Sequence, residues 1–98
     1  MDIKEAQALM RQIYYERDVE RGLDRTLLRT FQELGELSEA VQKNRSSPEV
    51  SGEMADVFAW VCSIANLLNI DLSKVLYEKY PDICYRCGKA PCECIEPP

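Results

Sequence analysis

Apolar side chains recur three and four residues apart through most of this chain, and the two-residue alternation of a half-buried strand is scarcely present. Ile3, Ala6, Leu9, Met10, Ile13 and Tyr14 predict a first helix over residues 3 to about 17, followed by a charged stretch and a break at Gly22. A second helix begins near Asp24, a residue suited to cap it, and runs to about residue 43. Its apolar stripe is Leu27, Phe31, Leu34, Leu37 and Val41. Gly35 in its middle costs about 1 kcal/mol relative to Ala, which a close helix contact or the approach of a metal would explain. Residues 44–48 are turn formers, after which Ser47 can cap a third helix with Pro48 in its first position. That helix runs to about residue 68 with a stripe of Val57, Val61, Ile64 and Leu68. Asn69-Ile70-Asp71 breaks it, and Asp71 can cap a short last helix reaching residue 80, stopped by Pro81. The expected fold is all-α, a helical domain over residues 1–80 followed by a cysteine-rich tail over 81–98.

A chain of 98 residues makes one small domain with a small core. Trp60, Phe58 and Leu28 add apolar surface beyond the two stripes, so the helical bundle is expected to be completed by oligomerisation. A net charge of −5 argues against binding a nucleic-acid polymer or an anionic membrane, both of which need clustered Lys and Arg. No apolar run approaches the length of a membrane span, and the charged start Met1-Asp2-Ile3-Lys4-Glu5 lacks the apolar core of a signal peptide. A cytoplasmic protein is expected.

Four carboxylates carry the chemistry. Glu33 and Glu36 lie on the second helix, and Glu53 and Asp56 on the third, as E-x-x-E and E-x-x-D. A spacing of three places both acids of a pair on one helical face, about a turn apart. Like charges that close repel unless something positive lies between them, and in a chain without histidine a hard divalent cation held by oxygens meets that need. Glu33 and Glu53 each border the apolar stripe of their helix, with Glu36 and Asp56 beyond. If the two stripes pack antiparallel, the four acids converge on one cleft, a recurring design of metal sites in helical bundles. Either pair alone reads more simply as a solvated acidic face; two pairs matched in angle on successive helices reverse that preference.

E-x-x-E, sixteen residues, then E-x-x-D resembles the signature of the MazG-like nucleotide pyrophosphohydrolases, within the all-α NTP pyrophosphatase superfamily. Leu34-Gly35-Glu36-Leu37-Ser38-Glu39-Ala40, Ala55-Asp56-Val57 and Ala65-Asn66-Leu67-Leu68-Asn69-Ile70-Asp71 extend the resemblance over about residues 1–80. One position departs from it: the family often has two Glu before Gly-Glu-Leu, and here the first is Gln32. The metal-binding second one, Glu33, is present. The resemblance implies hydrolysis of a nucleoside triphosphate to the monophosphate and pyrophosphate, with Glu33, Glu36, Glu53 and Asp56 as catalytic residues holding Mg2+, or Mn2+ in its place. It also implies a homodimer or homotetramer and a role in clearing non-standard or excess nucleotides. A triphosphate carries about four negative charges, which Mg2+ bridges and neutralises. The general base is one of the four acids or Glu39. Asn66 matches an Asn of the family and is a candidate for phosphate or sugar contact. Among the cations Lys43, Arg45, Lys74, Lys79, Arg21 and Arg29, we favour Lys74 and Lys79 for phosphate, since they follow the third helix toward a partner's cleft. Trp60, four residues after Asp56, is a candidate for stacking on the base, with core or interface packing as its alternative. Neither base nor sugar is specified.

The tail is a separate unit, Cys84-x-x-Cys87 followed by Gly88, then Cys92-x-Cys94. C-x-x-C-G resembles a zinc knuckle, and the second pair completes a tetrahedral four-thiolate site for a structural Zn2+. Iron and disulfides are the alternatives, the latter disfavoured in a reducing compartment. Cys62 reads as a small core residue. Two other functions compete with the enzyme: a non-catalytic module binding a nucleotide–metal complex or, through the zinc tail, another protein; and a ligand-free helical dimer.

Overall fold

A computed structural model describes residues 1–96. Four helices follow one another, α1 (Ile3–Arg21), α2 (Leu23–Gln42), α3 (Ser47–Leu68) and α4 (Leu72–Lys79), with no strand among the described residues. The all-α expectation holds, with local differences at the helix ends. α1 runs on to Arg21 because nothing between residues 17 and 21 interrupts the backbone ladder; Gly22 alone, at φ +88°, turns the chain. Asp24 is therefore the second residue of α2 and not its cap, a place taken by Gly22 without any side-chain bond. The cap of α3 is Ser46 rather than Ser47: its hydroxyl accepts from the Glu49 amide at 3.3 Å, which moves Pro48 to the second helical position. Asp71 caps α4 as expected, accepting from the Lys74 amide at 3.2 Å.

α3 is the central helix, with α2 packed along one side and α1 along another, while α4 leans on α1. A side-chain strap ties these elements. The Gln7 amide donates to Asn66 Oδ1 at 3.1 Å and to the Ile70 carbonyl, its Oε1 accepts from the Leu72 amide at 2.9 Å, and Asn66 Nδ2 returns a bond to the Gln7 carbonyl at 3.2 Å. One glutamine of α1 thus holds the end of α3, the turn after it and the first turn of α4.

The stripe of α2 does not pack as its composition suggests. The side chains this helix buries are Thr26, Glu33 and Ala40, with Leu37 half-buried, whereas Phe31 is 78% exposed and Leu27, Leu34 and Val41 about half exposed. The helix is rotated roughly a quarter-turn from the seam drawn on apolar periodicity, so that its small and polar line faces α3. Gly35 lies on open surface, and a Cβ there would meet nothing, so neither a close helix contact nor a metal explains it within this chain. The resulting structure is open: its radius of gyration of 15.7 Å exceeds the about 13 Å of a compact domain this long.

Candidate metal and nucleotide site

Rotation of α2 carries Glu33 inward, where it is only 6% exposed. Across from it, α3 presents Glu53 and Asp56 one turn apart, and one carboxylate oxygen from each of Glu33, Glu53 and Asp56 lies within 4.8 Å of the others. Three oxygens this close from two helices suit a hard divalent ion. Glu36, one turn along α2, is exposed and lies just outside this set. Its charge still reaches the cluster. Burial first and Glu36 second push the Glu33 carboxyl above its ordinary value, with Arg29 opposing. The same two causes, in the same order, raise Glu53, with Asp56 adding to them. Glu53 Oε2 is buried without a protein hydrogen-bond partner, which leaves it free to accept an ion or a water.

Arginines, not lysines, approach these acids. Arg29 donates to Glu33 Oε1 at 2.8 Å and to Gln32 Oε1 at 3.0 Å, so Gln32 helps fix the cation that reaches the cluster. Arg45 lines a cavity of about 320 Å3 with Glu36, Glu39, Glu49 and Glu53. Arg21 lies over the Trp60 ring at 4.7 Å and Arg29 at 5.5 Å. Trp60 joins the site, sharing a second cavity of about 180 Å3 with Asp56 and with Tyr14, Asp18 and Arg21 of α1. Lys74 and Lys79 do not join it within this chain: Lys74 faces Glu78 at 3.9 Å, and Lys79 lies over the Tyr80 and Tyr85 rings. Asn66 is 4% exposed and its amide is engaged with Gln7. Sequence reasoning singled out neither Gln7 nor Asp18. A signal existed for both, since residues 7, 14, 18 and 21 fall on one face of α1, and polar groups recurring on an inward line are worth notice.

The tail also gathers its ligands. Cys84, Cys87, Cys92 and Cys94 bring their sulfurs within 4.8 Å of one another, with Cys84 and Cys94 at 3.8 Å and Cys87 and Cys92 at 4.0 Å. Four sulfurs at about 2.3 Å from a tetrahedral ion are about 3.8 Å apart, so the spacing fits a four-thiolate metal site. Gly88 makes the turn at φ +72°, and its amide bonds the Cys84 carbonyl at 2.9 Å. Backbone amides prepare the thiolates: those of Cys87 and Arg86 hold the Cys84 thiol down to about 6, and that of Glu93 lowers Cys87. Cys94 is pushed up to about 12, chiefly by its hydrogen bond with Cys92, so the metal-free cluster retains protons that an ion would displace. An edge-on contact of Tyr80 with Tyr85, ring centres 5.6 Å apart, seats the tail on the end of α4. Cys62, wholly buried, is the core residue expected.

No single helix among the described residues is long and apolar enough to cross a membrane. No curated protein matches the chain. Residues 21–86, however, match the MazG nucleotide pyrophosphohydrolase domain. That match spans two thirds of the chain and includes every acid of the cluster, and by it the chain belongs to the MazG nucleotide pyrophosphohydrolase family.

Proposed function

We propose that this protein hydrolyses a nucleoside triphosphate to the monophosphate and pyrophosphate in a Mg2+-dependent reaction, with Mn2+ as a substitute. The observation that carries the reading is the meeting of Glu33, Glu53 and Asp56 across α2 and α3, in a chain of this family. These three carboxylates would hold the ion, with Glu36 beside them. When bound, the ion neutralises phosphate charge and polarises the α-phosphorus. Arg45, in the 320 Å3 cavity next to Glu53, is the cation best placed for the outer phosphates. Glu36, outside the set that closes on one point, is the carboxylate left to take the proton of the attacking water. The water oxygen bonds to the α-phosphorus, the bond from that phosphorus to the bridging oxygen breaks, and pyrophosphate leaves. Clearing non-standard or excess nucleotides in the cytoplasm is the role that fits such a reaction.

The helical unit would act as a homodimer or homotetramer, the outward face of α2 with Leu27, Phe31, Leu34 and Val41 covered by another copy. In such an assembly Lys74 and Lys79 of one copy would approach a neighbour's cleft. The four cysteines would hold a structural Zn2+, since a site filled by four thiolates has no open position for substrate. The test is pyrophosphate release from a panel of nucleoside triphosphates with Mg2+, with Mn2+ and with chelator, beside Glu53→Gln. Metal-dependent release lost in the variant is expected. A folded, zinc-loaded protein that releases none, or an unimpaired variant, would leave a nucleotide-binding module in place of an enzyme.

A further inference from the structure

Asp18 is the least expected side chain in this molecule. It sits near the end of α1 and is 1% exposed. Its Oδ1 accepts from Arg21 Nη1 at 2.9 Å, while its Oδ2 is buried with no partner at all. A carboxylate oxygen left in that condition is costly, and native structures keep such a group where a ligand completes it. Asp18 lines the cavity of about 180 Å3 that it shares with Tyr14, Arg21, Trp60 and Asp56. The last of these is a member of the acid cluster, so whatever fills the cavity lies directly beside the ion site. The cavity is smaller than the roughly 300 Å3 at which pockets for whole drug-sized ligands begin, which suits one flat ring of a larger molecule. Arg21 lies over the Trp60 indole at 4.7 Å, so indole and guanidinium together wall the cavity.

We propose that this cavity receives the base of the nucleotide and that Asp18 Oδ2 selects a base whose edge carries an amino group next to an unprotonated ring nitrogen, the edge shared by cytosine and adenine. The inference rests on the nucleotide reading above and adds its specificity. Asp18 is the deepest polar group, its side chain 2% exposed, whereas that of Arg21 is 26% exposed and lies nearer the mouth. The exocyclic substituent is the outermost atom of a base edge and so meets the floor. An amine there donates to Oδ2, and the adjacent ring nitrogen accepts from a free N–H of the Arg21 guanidinium. The carbonyl of uracil or hypoxanthine at that point would set one acceptor against another. The carboxyl torsion of an Asp is soft, so a small rotation presents Oδ2 to the ring. Tyr14 and Asp18 lie on α1, apart from the acid motif of α2 and α3.

The experiment compares kcat/KM for dCTP and dATP with that for dUTP and dITP, in the full chain and in Asp18→Asn. The wild type should prefer the amine-bearing member of each pair by roughly tenfold or more, because a buried acceptor facing a carbonyl is left unpaired. In Asp18→Asn the amide oxygen keeps Arg21 and the amide nitrogen takes the place of Oδ2, so the preference should level or invert. Equal turnover of amine and carbonyl members by the wild type overturns the proposal, as does a folded Asp18→Asn that keeps the wild-type ratio. Should no triphosphate be hydrolysed, the enzymatic reading has failed on its own. The same four nucleotides are then titrated with Mg2+ by calorimetry: an amine preference in affinity that Asp18→Asn removes supports the base site, and equal affinity or no binding overturns it.

Discussion

Replacing Gln7 with Met tests whether the strap between α1, α3 and α4 holds the fold, as its bonds suggest, and whether Asn66 belongs to it. The substitution keeps length and apolar stem while deleting one acceptor and two donated bonds, to Asn66 Oδ1, the Ile70 carbonyl and the Leu72 amide. Asn66 is 4% exposed, and stranding its oxygen costs about 1–3 kcal/mol. Ile70 and Leu72 lie closer to solvent, where water partly replaces the lost partner, so each adds about 0.5 kcal/mol. The sum is roughly 3 kcal/mol. For a domain of this size each kcal/mol moves Tm by about 4–8 °C, so a fall on the order of 12–24 °C is expected. Urea denaturation should show the matching drop in midpoint at unchanged slope. A loss below about 0.5 kcal/mol would refute the reasoning. Well below its melting point the variant should bind nucleotide with wild-type KM. A KM raised tenfold with stability intact would instead place Gln7 and Asn66 in a substrate site.

Further expectations concern the acids, the tail and the open face. Glu53 has a raised pKa in the fold, so its contribution to stability is present below the ordinary carboxylate range and is lost as pH rises through the raised value. Metal-free Glu53→Gln should therefore melt above the wild type at pH 7 and level with it near pH 4; a variant that melts lower at pH 7 would contradict the cluster's strain. Mg2+ at a hundredfold excess over its dissociation constant should stabilise the wild type by about 2.7 kcal/mol, and Glu53→Gln by far less, read from melting curves. Cys84→Ser should reduce bound zinc from one ion per chain to none by elemental analysis while the helical circular dichroism persists. Phe31→Asp should lower the mass seen by light scattering to that of a monomer without unfolding the helices; an unchanged mass would mean that this face is not an interface.

Helix number, order and most breaks were legible because they depend on neighbours in sequence: Gly22, Asn69 and Asp71 act through their own backbone and first-turn bonds. Where several residues compete for one local job, as Ser46 and Ser47 do at the start of α3, composition alone does not choose. Acid pairs on successive helices pointed to a meeting of carboxylates, and Glu33, Glu53 and Asp56 do meet, but without Glu36 and not through the packing of the two apolar stripes from which the meeting was expected. The rotation of α2 was not legible. Apolar periodicity identifies the most hydrophobic face of a helix, but not which of several surfaces will cover it, and in α2 that face lies outside. The same limit applies to cations. Lys74 and Lys79 follow α3 in sequence, yet the groups that meet the acids are Arg29, one turn from Glu33, and Arg45, in the turn before Glu49. Gln7 and Asp18 lie on one polar line of α1, but what that line meets, Asn66 and Ile70 for Gln7 and the cavity with Asp56 and Trp60 for Asp18, lies more than thirty positions away and is not encoded locally.

The rotation of α2 has a physical consequence that links fold to chemistry. Turned inward, its small and polar line leaves Ala40 as the one fully buried apolar side chain that α2 contributes among the described residues. Into the junction with α3 the helix also carries Glu33, so that three acids meet there whose repulsion opposes closure. A cation between Glu33 on one helix and Glu53 and Asp56 on the other would reverse the sign of that term and make the acids a crosslink. On the reading proposed above, such an ion would couple the two helices: binding it would hold α2 against α3 beside the Arg29–Glu33 pair, and a nucleotide that brings its own Mg2+ would complete the site it occupies. Because both stabilities run through the same carboxylates, neutralising Glu33 or Glu53, the two whose carboxyls are raised, should relieve the metal-free fold and abolish the metal-bound gain together.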